Sequence, residues 1–179
     1  MLYFLIPIPN SQSRGAPIII IGYFFVVGGW LLEIAALLLP DWIVFSDGGP
    51  SYGILPYPSV FSNFGWAVAA CWLMYIASAL CFVIFFFYIA FLHILKKHGF
   101  SLQLRKFYYT LSILSLINGA LLFTSYMLFA IGIDSFARKY PHSSIGFAVY
   151  IDLISAMIYF ISGPLYIVFA RRFCPMPLF

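Results

Sequence analysis

Chemistry in this chain begins with its scarce ionisable residues. Asp and Glu together number only 5 among 179 residues, and two of them, Glu33 and Asp152, sit inside long apolar runs. A carboxyl so placed can be a structural group hydrogen-bonded to Ser, Tyr or Asn on a neighbouring helix. It can also meet a polar residue of a partner membrane protein, or hold a cation or a proton. Ionising it in hydrocarbon costs several kcal/mol unless it is paired. The structural reading is preferred and the other two stay open. Asn118 is the remaining strongly polar residue of this intramembrane set.

Other chemistry is poorly supplied. The three histidines, His93, His98 and His142, do not form one cluster, because His142 belongs to the opposite side of the membrane from the other two. No Cys/His metal spacing, Gly-rich phosphate loop or nucleophile elbow is present, so no enzyme, cofactor or metal is expected. Cys71 and Cys81 lie in one apolar run and read as small buried side chains. Cys174, beside Arg171 and Arg172, is a lipidation candidate. No Asn-x-Ser/Thr acceptor exists.

The composition fixes what positions these residues. Apolar types make up 64% of the chain and charged types 8%, against about 25% charged in a soluble domain. This composition describes an integral membrane protein. Its net charge of +4 comes from short basic clusters between apolar runs, so nucleic acid is not the partner. The bilayer is.

Four runs can cross a hydrocarbon core of about 30 Å, which needs about 20 helical residues. They cover about 16–39, 64–95, 107–133 and 145–170. Pro17 is expected in the first turn of the first, and Pro40 stops it. Gly163-Pro164 predicts a kink in the fourth. The apolar opening from Met1 to Pro9 is too short to span and reads as an interfacial segment rather than a removable signal.

Seven basic residues and no acidic one fall on one side: Arg14, Lys96, Lys97, Arg105, Lys106, Arg171 and Arg172. The other side carries Asp41, Asp47, Asp134, Arg138 and Lys139. The basic excess places both termini in the cytosol. The outer loops are then 40–63 and 134–144. In the first, Trp42 to Phe45 is strand-prone, Ser46 to Pro50 is a turn cluster, and Tyr52 to Leu55 can return as the second strand of a hairpin.

The fold expected is all-α: a single up-and-down four-helix transmembrane bundle with a small extracellular β-hairpin. Helices in lipid associate through small residues and interhelical hydrogen bonds. Gly22, Gly29, Glu33 and Ala36 share one face of the first helix. Asp152, Ser155, Tyr159, Ser162 and Tyr166 make a comparable stripe on the fourth, and Ser115, Asn118, Gly119 and Ser125 on the third. Gly22, Gly29 and Gly119 are the packing residues expected.

The order Pro40, Trp42, then Gly53-Ile54-Leu55 resembles the Trp…Gly-Leu-Trp pattern of the claudin-like four-pass (tetraspan) superfamily. The entry to the last span, Gly146 to Tyr150 with Ser155 beyond, is also similar to that family's. Two departures stand out. Leu55 replaces the second Trp, and the loop cysteines that normally follow are missing, since Gly53 to Asn63 holds none. The resemblance implies a non-enzymatic plasma-membrane protein in adhesion, or in assembly, trafficking or modulation of a partner such as a channel, with contacts in cis or trans and self-association among them. Small four-pass proteins of sperm surfaces that act in fertilisation are similar in size and layout. The alternative is an oligomeric pore or ion or proton pathway using Glu33 and Asp152. The residues expected at a partner contact are Trp42, Phe45, Tyr52, Leu55, Tyr57 and Phe61, since exposed aromatic loops are typical interface material.

Overall fold

The computed structural model describes residues 12–98 and 102–173. Cys174 and the segment from Met1 to Pro9 lie outside the described residues. Four helices, α1 (Gln12–Leu38), α2 (Gly65–His98), α3 (Leu102–Lys139) and α4 (Phe147–Phe173), carry most of the chain. Between them stand β1 (Ile43–Phe45), a 3-10 turn (Ser59–Asn63) and β2 (Ser143–Ile145). Each of the four helices is long and apolar enough to cross a membrane, so the chain is an integral membrane protein.

The helices form an up-and-down ring. Each packs on its neighbour in sequence and α1 closes against α4, with α3–α4 the most extensive seam and α1–α2 the thinnest. α3 is longer than its apolar run at both ends. At 38 residues and 1.5 Å per residue it reaches roughly 57 Å, well beyond a hydrocarbon core. Its last turns stay helical because Phe136 is buried and because Arg138 and Lys139 suit the negative end of the helix dipole. α1 starts earlier than expected, which puts Pro17 beyond its first turn. α4 runs unbroken through Pro164.

The β element forms from both of the loops that join α1 to α2 and α3 to α4. β1 pairs antiparallel with β2 in the register Ile43↔Ile145, Val44↔Ser144 and Phe45↔Ser143. The anticipated return strand at Tyr52 to Leu55 contracts to one bridge, Ile43↔Tyr52. The position of β2 explains the difference. β2 sits directly before α4, so pairing with it ties the first loop to two helix ends at once, whereas a local hairpin would leave the loop attached only to itself.

Glycines set how near the helices come. A Cβ on Gly29 would lie 3.2 Å from Tyr159, and one on Gly119 3.2 Å from the Ala156 carbonyl. One on Gly22 would come within 2.9 Å of the Tyr88 hydroxyl, which donates to the Ile19 carbonyl at 2.9 Å. Gly163 faces Leu116 at 2.7 Å in the same sense, while nothing lies within 4 Å of a Cβ on Gly28. Close backbone approach at these points supplies the dispersion contacts that replace a hydrophobic driving force in lipid. Gly29→Leu is therefore expected to destabilise the bundle by about 1–3 kcal/mol through overpacking. Gly28→Leu should stay within about 0.5 kcal/mol of the parent. Thermal unfolding of the two variants in the same detergent separates these outcomes.

Candidate functional site

Pro40 explains the geometry of the loop end. Proline has no backbone N–H, so the helical acceptor four residues back, the Ala36 carbonyl, is left without its donor. The last regular bond at this end runs from Leu39 N–H to the Ala35 carbonyl at 2.9 Å. The indole N–H of Trp42 fills the gap, donating to the Ala36 carbonyl at 2.6 Å. Trp42 is thereby pulled under the loop, fully buried, with its ring 4.8 Å from Phe129 of α3.

With Trp42 fixed, the neighbouring backbone becomes a clamp. Trp42 and Ile43 N–H both donate to the Tyr52 carbonyl at 3.0 Å, and Tyr52 N–H returns to Ile43 at 2.8 Å. Gly146 N–H donates to the Trp42 carbonyl at 3.0 Å, and Ala148 N–H, a first-turn donor of α4, to the Asp41 carbonyl at 3.1 Å. A Cβ at Gly146 would collide with that Asp41 carbonyl, and one at Gly53 would come within 2.9 Å of the Leu39 carbonyl. Tyr75 of α2 donates its hydroxyl to the Ile54 carbonyl at 2.9 Å, so α2 also holds the loop.

Aromatic rings fill the space beneath. Phe61 is fully buried against Phe129 at 6.0 Å and Phe136 at 6.4 Å. Phe45 and Tyr52 are half-buried and meet edge-on at 5.8 Å. The Trp66 ring covers Gly132, and its N–H donates to Ser135 at 2.9 Å. The six residues expected at a partner contact thus do not share one surface. Trp42 and Phe61 are interior, Phe45 and Tyr52 are partly covered, and Leu55 and Tyr57 stay open at 39% and 40%. Partial desolvation raises the pKa of the Tyr57 hydroxyl above the usual phenol value, which leaves it a neutral hydrogen-bonding group near pH 7.

The intramembrane polar set occupies the bundle interior. Glu33, Asn118 and Asp152 are fully buried, and the Asn118 amide donates to Glu33 Oε2 at 2.9 Å. Ser155 donates to the Gly29 carbonyl at 3.2 Å, and the Tyr159 hydroxyl to Cys81 Sγ at 3.3 Å. Cys71 and Cys81 are free thiols. Among the described residues, no group of three or more His, Cys, Asp or Glu is placed to hold a metal ion.

A family model described as tight junction protein, claudin-like, matches residues 11–176. The chain belongs to this claudin-like family. No curated protein matches it. Membership gives the Pro40–Trp42–Gly53 spacing a physical content. In this claudin-like chain the Trp replaces the N–H that Pro40 lacks, and Gly53 lets the returning strand lie on the end of α1.

Sequence reasoning counted Trp42 among the partner-contact residues and read Pro40 only as a helix stop. The structure buries Trp42, and the donor missing at Pro40 is the signal that could have found its bond to the Ala36 carbonyl. Gly132 and Phe129 carried no local signal, because their partners lie on distant elements. Trp42→Phe keeps an aromatic ring and removes the indole donor. It should cost about 1–3 kcal/mol by leaving the buried Ala36 carbonyl unpaired. The loss is measurable as a lower unfolding midpoint relative to Trp72→Phe, whose ring is 62% exposed.

Proposed function

We propose that this claudin-like protein is a non-enzymatic component of the plasma membrane that contacts a partner membrane protein through its strapped loop end, in adhesion or in escorting and modulating that partner. The reading takes the sheet end as extracellular and both termini as cytosolic, supported by the basic residues gathered at the opposite end. The observation that carries it is the division of labour in the first loop. Buried Trp42 and Phe61 hold the loop, while Leu55 and Tyr57 stand open on it. Residues carried on a loop backbone that is already held in place lose less conformational freedom on binding, and Tyr is among the types at which interface energy concentrates.

The proposal places partner contact at Leu55 and Tyr57 and assigns Trp42 and Phe61 to support. Tyr57→Ala should weaken partner capture at least tenfold, about 1.4 kcal/mol, with an unchanged unfolding midpoint. Trp42→Ala should lower capture and midpoint together. Crosslinking and affinity purification from native membrane, with thermal unfolding of each variant, distinguishes the two. Capture of the same partner undiminished by both Tyr57→Ala and Leu55→Ala would remove the loop from the interface. Tags at both ends that resist protease in intact cells check the orientation.

A further inference from the structure

The bundle interior holds a group of buried oxygens that have no hydrogen-bond partner. Ser155 of α4 donates to Gly29 of α1 at 3.2 Å. The two helices are antiparallel, so one turn toward the sheet end from that contact brings Glu33 on α1 opposite Asp152 on α4. From α3, Asn118 reaches Glu33 Oε2 at 2.9 Å. Four oxygens of this trio, Glu33 Oε1, both oxygens of Asp152 and Asn118 Oδ1, are buried without a hydrogen-bond partner. Ser155 donates to Gly29 and Tyr159 to Cys81, and the buried donors left over, Trp30 Nε1 and the hydroxyls of Ser78, Ser112 and Ser115, bond none of these oxygens. Every Lys, Arg and His of the chain lies at or near a helix end or in a loop, away from the middle of the spans.

Unpaired oxygens gathered at one level of a bundle interior are costly unless something positive stands among them. We propose that Glu33, Asp152 and Asn118 form a binding site for one monovalent cation, at which sodium and a proton compete. Two carboxyls and an amide carbonyl are hard oxygen ligands, the donor class that suits alkali and alkaline-earth ions. Charge balance sets the composition. One sodium ion with one proton neutralises the two carboxyls, and a second proton displaces the sodium at low pH. The other titratable groups facing the Glu33 carboxyl are Cys81 from α2 and Tyr159 from α4, whereas α3 contributes the neutral Asn118. The site goes beyond the adhesion reading and does not depend on it, because it lies inside a single copy of the chain.

The test uses the full chain in nanodiscs, unfolded thermally at pH 8.5 and pH 5, with sodium chloride replaced by choline chloride at constant ionic strength. At pH 8.5 a tenfold rise in sodium above its dissociation constant should raise the melting temperature by about 3–5 °C. At pH 5 the dependence should vanish. Asp152→Asn and Glu33→Gln should each weaken the sodium response at least tenfold. Should a variant fail to fold, equilibrium binding of radiolabelled sodium to the parent protein decides. About one ion per chain at pH 8.5 and none at pH 5 supports the site, and no bound ion at pH 8.5 overturns it. A melting temperature indifferent to sodium at pH 8.5, or equally sensitive at both pH values, or a response unchanged in both variants, likewise overturns it.

Discussion

The hydrogen bond from the Trp42 indole to the Ala36 carbonyl is the constraint on which the loop end rests. Pro40 stops α1 and removes a backbone donor, and a buried carbonyl left unpaired costs about 1–3 kcal/mol. A residue two positions on, with a long rigid side chain and a donor at its tip, meets that need. Once Trp42 is seated, its own backbone and that of Asp41 face the start of α4, where helix-initial N–H groups lack intrahelical partners. Two deficits, one at the end of α1 and one at the start of α4, are thus satisfied by the same two loop residues, Asp41 and Trp42.

The first loop, residues 40–63, contains no cysteine, so no disulfide restrains it. A disulfide restrains a loop chiefly by limiting the unfolded chain. Here the restraint is made in the folded state, through the β1–β2 pairing, the Tyr75 hydroxyl on the Ile54 carbonyl and the rings of Phe61, Phe129 and Phe136. The two-stranded sheet is small, yet it joins both loops and therefore both helix pairs. Little of the loop remains free, which leaves Leu55 and Tyr57 as its open apolar residues.

Within the spans a different principle operates. Lipid tails are as apolar as Leu or Phe, so helix association depends on close contact and polar pairing rather than on burial from water. Gly22, Gly29, Gly119 and Gly163 bring backbones near to facing rings and carbonyls, and Ser155 and Asn118 bond across the seams. The same interior concentrates polar atoms where water is scarce. Glu33 and Asp152 are held there by helix packing whether or not their charge is balanced.

The sequence by itself determined the membrane class, the four spans and the faces that meet, because hydrocarbon admits long apolar helices and because small and polar residues recur at helical spacing on α1, α3 and α4. It also contained, in Pro40, the need for a surrogate donor at Ala36. Tertiary structure alone decided the rest. Ile43 to Phe45 paired with Ser143 to Ile145 about a hundred residues away and kept a single bridge, Ile43↔Tyr52, to the nearby segment, because the distant pairing ties the end of α1 to the start of α4. Aromatic content made all six loop residues equal candidates for contact. Burial separated them, because Trp42 and Phe61 are drawn inward by partners on α1 and α3 that no local pattern reveals, while Leu55 and Tyr57 have no such partner and remain at the surface.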